Sequence, residues 1–401
     1  MKKHLFFLLF VFSSWASFAQ TIRYVKEGGA GTKDGSSWSN ASDDLQLMIN
    51  QSASSNQIWV AAGTYKPNRP ANDLNTISVN NRANAFVLKD GVQLYGGFTG
   101  TETSLGQRNY EVNKSILSGD LGTINNTSDD AYHVIISANV GNQTLLDGFT
   151  ITKGNANGLQ TSKITVNGYS FGQARGGGMC NGSSSTTITN CTFTENTGTY
   201  AGAMYNEASP VSISNSNFSA NKVSGNCGGI MNISSNAVII NSSFTKNTGT
   251  WGGALLNDGS AATISGCTFI ENAAGNRGGA IHNENSDSKI YTSLFFKNTA
   301  TTLGGGAVWH NLGNMSIINC TLYGNISNNS SYGGGINASS GRILLYNSLL
   351  WDNKSAQNTG RDEQYTGLSY ITFRNNLITG YTNIMADNAS AQGVTTEQIF
   401  T

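Results

Sequence analysis

A sequence repeat of 25 to 28 residues occurs seven times from residue 179 onward, and it restricts the fold more than any other feature. In each copy an aliphatic residue follows the glycines, an isoleucine or leucine comes nine residues later, and a phenylalanine or leucine comes five residues after that. The third of these positions holds Phe193, Phe218, Phe244, Phe269, Phe295, Leu322 and Leu350. Repeats of this length with constant internal spacing indicate a solenoid, in which each unit contacts its neighbours.

The apolar positions alternate in short runs bounded by Gly and Asn, which favours strands over helices. Each unit is predicted to form one coil of three short parallel strands, with coils about 4.8 Å apart. Because crossovers between parallel strands are right-handed, the predicted fold is an all-β, right-handed parallel β-helix. Residues 58–380 would give about twelve coils and a rod on the order of 55–60 Å long.

Two polar columns accompany the apolar ones. One lies between the isoleucine and the phenylalanine, where stacked amides at a corner are predicted to bond along the tube as a ladder; it contains Asn190, Asn215, Asn241, Asn319, Asn347 and Asn375. The other is predicted to form exposed charge pairs between coils; it contains Glu195, Ala220, Lys246, Glu271 and Lys297.

The chain has five cysteines, and three share one inward register with serines of other coils. These three, Cys191, Cys267 and Cys320, are interpreted as small core residues, because Cys267 and Cys320 would lie roughly 9.6 Å apart, too far for a disulfide. Pairing of Cys180 and Cys227 stays open at this point. The cysteine spacing matches no metal motif.

Residues 1–19 read as a secretory signal peptide, with a short basic start, an apolar core and the small-x-small ending Ser17-Phe18-Ala19. The apolar stretch is too short to span a membrane comfortably, and no later stretch is apolar enough. Lys+Arg and Asp+Glu both number 23, so charge gives no reason to expect nucleic acid or an anionic membrane as partner. We therefore expect an exported protein, extracellular or on the outer-membrane surface of a Gram-negative bacterium.

The predicted domain organisation has three parts after the signal peptide. Residues 20–57 form an N-terminal cap, in which the first strand is Ile22–Val25 and an amphipathic helix follows an N-cap at Ser42. Residues 58–380 form the β-helix. Residues 381–401 form a C-terminal tail, either of a complete chain or of a fragment.

The repeat elements resemble those of chlamydial polymorphic outer-membrane proteins, which pair GGA-aliphatic with Phe-x-x-Asn. Here they stand as Gly253-Ala254-Leu255 with Phe269-Ile270-Glu271-Asn272. The segment Ile58-Trp59-Val60-Ala61-Ala62-Gly63-Thr64-Tyr65 is similar to secreted β-helix proteins of Bacteroidetes type. The resemblance implies a pectin-lyase-like solenoid and, for activity, a group that includes adhesins; pectate-lyase-like enzymes share the fold, but a fold does not fix a function.

One face is the candidate for ligand binding. Repeat lengths vary only between the phenylalanine and the next glycine pair, so that corner is predicted to be exposed. The corner and the outward register of the strand after it supply candidate ligand-binding residues, namely Arg175, Tyr200, Tyr205, Trp251, Arg277 and Trp309. Aromatic faces beside hydrogen-bonding groups suit sugar rings, and a rod suits a linear polymer. The alternative is that these aromatic side chains only pack on neighbours one coil away.

Catalysis has fewer candidates. Asp258 and Glu284 are predicted to lie one coil apart, where they could act as an acid pair or hold Ca²⁺, with Arg277 or His282 nearby. Glu207 is two coils from Asp258, so the carboxylates are sparse for a calcium-dependent lyase. The alternative for all these residues, and for His310, is a solvated surface role.

The sequence is therefore compatible with three functions. The first is a non-enzymatic, adhesin-like or structural surface protein, a monomer, that holds a polysaccharide or a host or cell-surface glycan along one face and needs no cofactor. The second is a polysaccharide lyase or glycoside hydrolase on the same fold, with Ca²⁺ as a cofactor only in the lyase case. The third is a spacer without a ligand.

Overall fold

The computed structural model describes residues 20–124, 126–356 and 364–379, together with the backbone of 384–386 and 390–392. The chain forms a right-handed parallel β-helix, as predicted. Four parallel sheets run along the tube, and they are numbered I to IV in the order in which a coil visits them. The predicted signal peptide lies outside the described residues.

Sheet I contains the strands after the glycine pairs: Phe86–Val87, Ile135–Ala138, Met179–Gly182, Met204–Glu207, Ile230–Ile233, Leu255–Asp258, Ile281–Glu284, Val308–Asn311, Ile336–Ala338 and Tyr365–Thr366. Sheet II follows: Ile22–Val25, Gln57–Ala61, Gln93–Phe98, Leu145–Asp147, Thr187–Thr189, Ser212–Ser214, Val238–Ile240, Thr263–Ser265, Lys289–Tyr291, Asn314–Ile318, Arg342–Tyr346 and Ile371–Arg374.

Sheet III carries the phenylalanine column: Gly63–Tyr65, Ser115–Ser118, Phe149–Thr152, Thr192–Thr194, Asn217–Ser219, Ser243–Thr245, Thr268–Ile270, Leu294–Phe296, Thr321–Tyr323, Leu349–Trp351 and Leu377–Ile378. Sheet IV has short strands: Asn155–Ala156, Thr197–Gly198, Lys222–Val223, Thr248–Trp251, Ala273–Arg277, Thr299–Ala300, Ile326–Ser327 and Lys354–Ser355.

The coil differs from the prediction in two details. Sheet IV makes four strands per coil where three were predicted, because two or more residues after the buried Asn of each repeat also pair with the next coil. In the described residues, sheet II has 12 strands and sheet III has 11, but the regular repeat makes only seven coils rather than about twelve, because the earlier coils carry long insertions. The seven coils from Met179 to Ser355 carry all four strands in the regular repeat.

The phenylalanine column is a continuous stack inside the tube, as predicted. Ring centroids of Phe193, Phe218, Phe244, Phe269 and Phe295 follow one another at 5.0, 4.9, 4.9 and 4.7 Å, with the planes nearly parallel. All five side chains are fully buried. Stacked burial of this kind joins each coil to the next through apolar area and aromatic contact.

The predicted amide ladder at Asn190 and its equivalents is wrong in position. These residues adopt φ between 48° and 55°, so they are the left-handed corner residues, and the structure shows no bond from one to the next. The ladder is instead the column three residues after each phenylalanine or its leucine equivalent, where each asparagine amide donates to the asparagine of the next coil. It contains Asn196, Asn221, Asn247, Asn272, Asn298, Asn325 and Asn353. Each of these amides is fully buried and also donates to a backbone carbonyl.

A second buried ladder runs along the inner side of sheet I through Asn181, Asn206, Asn232, Asn257 and Asn283. Its last amide donates to His310 Nδ1 at 3.0 Å, and His310 Nε2 faces the carbonyl of Gly313 at 3.3 Å. His310 is therefore a buried member of the tube, and its interpretation as a surface residue is wrong. It occupies the column where other coils place asparagine.

The charged column forms the predicted pair at Lys246 and Glu271, and Glu195 pairs with Lys153 of the preceding coil. Glu195 accepts from Lys153 at 2.6 Å, and Lys246 lies 3.5 Å from Glu271, with all four side chains more than a third exposed. Pairs this exposed contribute little to stability.

The N-terminal cap contains the predicted strand and helix. The helix spans Leu45–Gln51, and its N-cap is Asp44 rather than Ser42, because the Asp44 carboxylate accepts from the backbone N–H of Leu47 at 2.9 Å. Short 3-10 helices span Trp38–Asn40, Leu105–Gln107 and Leu368–Tyr370. In the predicted tail, Ile384–Ala386 and Ser390–Gln392 form an antiparallel pair; its other residues lie outside the described part. No helix in the described ranges is long and apolar enough to cross a membrane.

All five cysteines are buried free thiols, which answers the open question about Cys180 and Cys227. Burial raises the pKa of Cys191 to about 12 and the pKa values of Cys267 and Cys320 to about 11. A thiol is nucleophilic only as the thiolate, so all five should be inert in the native protein. We expect no reaction with Ellman's reagent before unfolding and full reaction in guanidinium chloride; a thiol that reacts quickly in the native state would contradict this burial.

Candidate functional site

The candidate face is built from sheet I and from the corner that precedes each of its strands. In each four-residue strand the first and third side chains point into the tube and the second points outward. This outward column holds Cys180, Tyr205, Met231, Leu256, His282 and Trp309. The corner residues two positions before the aligned glycine include Arg175, Tyr200, Trp251 and Arg277.

The outward column is buried, so the prediction that it forms an open face is wrong. Tyr205, His282 and Trp309 are 3, 2 and 4% exposed. The reason is that the corner side chain of one coil lies across the outward ring of the next. Arg175 Cζ lies 4.8 Å from the Tyr205 ring centre, and Arg277 Cζ lies 4.5 Å from that of Trp309.

The first coils of this face are closed by an insertion. The antiparallel hairpin Lys163–Val166 and Tyr169–Gly172 packs its buried apolar side chains, including Phe171, against an apolar cluster that contains Tyr205 and Cys180. Tyr200 packs against the same cluster. Arg175 donates to Glu207 at 2.9 Å. The predicted ligand residues Arg175, Tyr200 and Tyr205 are thus brought together, but their contacts are internal.

The later coils carry a second cluster, of which Trp251 is the exposed member. We call it the Trp251 cluster: Trp251, Arg277, His282 and Trp309, with Asp258 and Glu284 beside them. The rings of Trp251, His282 and Trp309 form one stack, with centroids 5.7 and 4.5 Å apart and planes 17° and 9° from parallel. Trp251 ends the stack and is 38% exposed. The cluster therefore presents one accessible indole that is held by two buried rings.

A glycine fixes the direction of Trp251. Gly252 has φ of +67°, and a Cβ there would lie 2.2 Å from the carbonyl oxygen of Leu255. Only glycine fits at this position, because it has no Cβ and adopts the left-handed backbone readily. It allows the chain to turn sharply from the corner into the strand. Trp251 is thereby left over the face of the next coil.

The two carboxylates of the cluster are neighbours in register, as predicted. Glu284 accepts from Asn311 Nδ2 at 2.7 Å and lies 3.7 Å from His282 Nε2. The neighbouring His282 ring lowers the pKa of Glu284, whereas partial burial, followed by the charge of Glu284, raises the pKa of Asp258. Glu207 stands two coils away with Ile233 between, so it does not join the pair.

Two buried nitrogen atoms of the cluster have no hydrogen-bond partner, Arg277 Nε and His282 Nδ1. Burial lowers the pKa of His282, so its ring is neutral at neutral pH. Nε2 faces the Glu284 carboxylate, which places the ring proton there and leaves Nδ1 as an acceptor. The cluster thus contains one unused donor and one unused acceptor.

The described residues contain no group of three or more His, Cys, Asp or Glu side chains arranged to hold a metal ion. The Ca²⁺ corner considered at Asp258 and Glu284 therefore gains no support from the arrangement of carboxylates. The chemistry that the cluster offers is stacking, hydrogen bonding and proton exchange.

The sequence reasoning missed an apolar strip on the outer side of sheet III. Next to the phenylalanine column, the outward positions change from Thr194, Ser219 and Thr245 to Ile270, Phe296, Tyr323 and Trp351. Phe296, Tyr323 and Trp351 line an open groove of about 640 Å³ together with Leu294, Leu349 and Leu377. The signal was present in the sequence as a loss of polar alternation from Leu294 onward.

Comparison with known proteins supports the fold. The family described as right handed beta helix region matches residues 157–350. A comparison with curated proteins gives no match. Among solved structures, a pectate lyase, Pel9A, superposes with a TM-score of 0.55 at 17% identity, covering 92% of this chain and 81% of that one.

Two further structures superpose less closely. A rhamnogalacturonan lyase has a TM-score of 0.38 at 11% identity, covering 89% of this chain and 87% of its own. A protein of Geobacillus virus E2, ORF18, has a TM-score of 0.42 at 12% identity, covering 93% and 65%. At these identities the likeness concerns the fold alone.

Proposed function

We propose that the protein is an exported β-helix that binds a glycan at the Trp251 cluster without cleaving it. The observation that carries this proposal is the partly exposed Trp251 ring, held in place by the stacked rings of His282 and Trp309. An immobilised indole offers a large apolar surface at little entropic cost, and sugar rings present matching C–H faces. Arg277, Asp258 and Glu284 surround it with hydrogen-bonding groups, which glycan recognition also needs.

Two further points support the proposal. The signal-peptide pattern of residues 1–19 fits a protein that meets polysaccharides outside the cell. The pectate lyase of similar fold is named for its action on pectate, which supports a glycan ligand here by analogy at the level of the fold. A place on the outer-membrane surface and an adhesin-like role belong to the same proposal.

The proposal is tested by Trp251→Ala in affinity gel electrophoresis against a panel of neutral and acidic polysaccharides. We expect at least one polymer to retard the wild type, and we expect the variant to bind it about tenfold more weakly, which is ~1.4 kcal/mol. Trp251→Phe keeps a ring over His282 and should retain most of the affinity.

Trp351→Ala is the matched control, because Trp351 lies in the apolar strip of sheet III, away from the cluster. It should leave the retardation unchanged, and equal melting temperatures would show that all three variants are folded. Unchanged retardation of Trp251→Ala, or no retardation of the wild type by any polymer, would remove the glycan site.

A second candidate, hydrolysis or elimination by Asp258 and Glu284, is favoured by one observation. The pKa of Asp258 is raised and that of Glu284 is lowered, and a carboxyl pair with opposite shifts can divide acid and base roles. Under binding alone, the wild type gives no new reducing ends and no unsaturated product, with or without Ca²⁺. Product that disappears in Asp258→Asn would favour the enzyme.

A further inference from the structure

The fold does not need the apolar strip of sheet III. Its outward positions include Leu294, Phe296, Tyr323, Leu349 and Trp351, whereas the same positions in earlier coils hold threonine, asparagine and serine. Both sets flank the same buried column and pair in the same register. The strip nevertheless borders an open groove, and Tyr323 is 39% exposed. A contiguous apolar surface of this kind on a parallel sheet is typical of an interaction site.

The strip has a regular surface that a second copy of the chain can match. Its strands pair in register, so the three rings form one row along the tube, and the Phe296 and Tyr323 rings stack with centroids 5.5 Å apart. Two sheets pack face to face about 10 Å apart when their strands are nearly aligned. In a dimer with a two-fold axis along the strand Thr321–Tyr323, Tyr323 faces its own copy and Phe296 faces Trp351 of the second copy.

The corner after sheet III carries charges that suit this arrangement. Lys297, Gly324 and Asp352 occupy the same corner position in three successive coils, with φ between 51° and 64°. Rotation about the strand direction reverses the order of the coils but keeps this corner on the same side. Lys297 of one copy therefore meets Asp352 of the other, and the symmetry repeats the pair. Asp352 accepts from Lys354 of its own chain at 3.1 Å, and a carboxylate has a second oxygen to offer Lys297.

The other face-to-face arrangement, with the two-fold axis along the tube, lacks this match. It would place Lys297 and Asp352 against the opposite edge of the strip, where the corner positions are Thr292, Asn319 and Asn347. These side chains carry no charge, so neither ion would meet an opposite one. Charge complementarity therefore selects the arrangement with antiparallel tubes, while the apolar strip supplies the buried area.

We infer that the apolar strip of sheet III is the interface of a homodimer with antiparallel tubes and a two-fold axis along Thr321–Tyr323. This dimer replaces the monomer expected from the sequence. Three or four coils take part, so the interface is small and we expect a Kd on the order of 10–100 µM. The inference is independent of the glycan site, and affinity gels run far below this concentration report on the monomer.

The experiment is sedimentation velocity of the wild type at concentrations from about 1 to 500 µM, which span the expected Kd. We expect the sedimentation coefficient to rise to that of a dimer. Tyr323→Asp places two carboxylates opposite each other at the axis, so it should weaken dimerisation at least about a hundredfold. Tyr323→Phe keeps the ring and is the matched control, which should dimerise like the wild type.

Charge reversal tests the orientation of the two copies. Lys297→Asp places like charges opposite each other at two symmetric positions, so it should raise the Kd about tenfold, and Asp352→Lys should do the same. The double variant restores both pairs with their signs exchanged, and its Kd should return to within about threefold of the wild type. Lys246→Asp changes the same corner column outside the strip and should leave the Kd unchanged.

A wild type that stays monomeric at the highest concentration overturns the inference, as does a dimer that Tyr323→Asp leaves intact or a double variant no tighter than the single ones. If the wild type is monomeric, the fluorescence of anilinonaphthalene sulfonate identifies the other occupant. Enhanced emission that Tyr323→Asp reduces would mean that the strip is open to a different apolar partner. No enhancement would mean that the chain covers the strip with its own residues.

Discussion

Asn247→Leu should destabilise the β-helix by about 3–5 kcal/mol, more than any exposed substitution in the same coil. The Asn247 Oδ1 accepts from the backbone N–H and the amide of Asn221 at 3.1 and 2.9 Å. Its Nδ2 donates to the carbonyl of Phe218 at 2.8 Å and to Asn272 at 3.0 Å. Leucine has a similar size but makes none of these bonds, so the Asn221 N–H and the Phe218 carbonyl lose partners in a dry interior.

The measurement is urea denaturation of the wild type and the variant, followed by circular dichroism. Asn241→Gly is the matched control, because Asn241 is an exposed corner residue with φ of 48°, and Gly266 occupies the same column one coil later. Glycine adopts this conformation readily, so the control should change stability by less than about 0.5 kcal/mol. Equal effects of the two substitutions would show that the buried ladder has no special importance.

The same two residues show what the sequence could and could not predict. The period fixes that Asn241 and Asn247 each belong to a column, because equal spacing in every repeat places like residues over one another. It does not show which column is inside, because both are polar, both are asparagine and both lie next to an apolar position. Only the backbone, left-handed at Asn241 and paired at Asn247, separates the corner from the interior.

The candidate site shows a different limit. The outward register of His282 and Trp309 was predicted correctly as a direction, but its exposure was not. Burial there depends on corner side chains that fold across the next coil and on the hairpin within residues 163–172, and neither is encoded in the repeat period. A period reports neighbours along the tube, whereas an insertion can cover any face.

Acid should weaken this protein well before its carboxylates are fully protonated, because it buries neutral histidines. Burial lowers the pKa of both His133 and His310 to about 4, from an ordinary value of 6.5. The folded state therefore binds these protons less tightly than the unfolded state, so their contribution to stability is complete above pH 6.5 and is lost as the pH falls toward 4. Each histidine should lose about 2–3 kcal/mol between pH 7 and pH 4.5.

One buried acid acts in the opposite direction. Burial, with the charges of Asp120 and Asp129, raises the pKa of Asp130 to about 6, so its protonation on acidification relieves a cost. That relief amounts to about 2 kcal/mol at pH 4.5, which leaves a net loss of roughly 3 kcal/mol from the three groups. The measurement is the free energy of unfolding in urea, which we expect to be lower at pH 4.5 than at pH 7.

His310→Asn isolates the contribution of one histidine. Asparagine continues the ladder that ends at Asn283 and cannot be protonated, but it is smaller and loses the contact with Gly313. At pH 7 the variant should be less stable than the wild type by about 1 kcal/mol. At pH 4.5 the wild type has lost the contribution of His310 and the variant has not, so the variant should be the more stable by roughly 1–2 kcal/mol. If the difference in free energy of unfolding between the variant and the wild type were the same at both pH values, His310 would not titrate in this range and the prediction would be wrong.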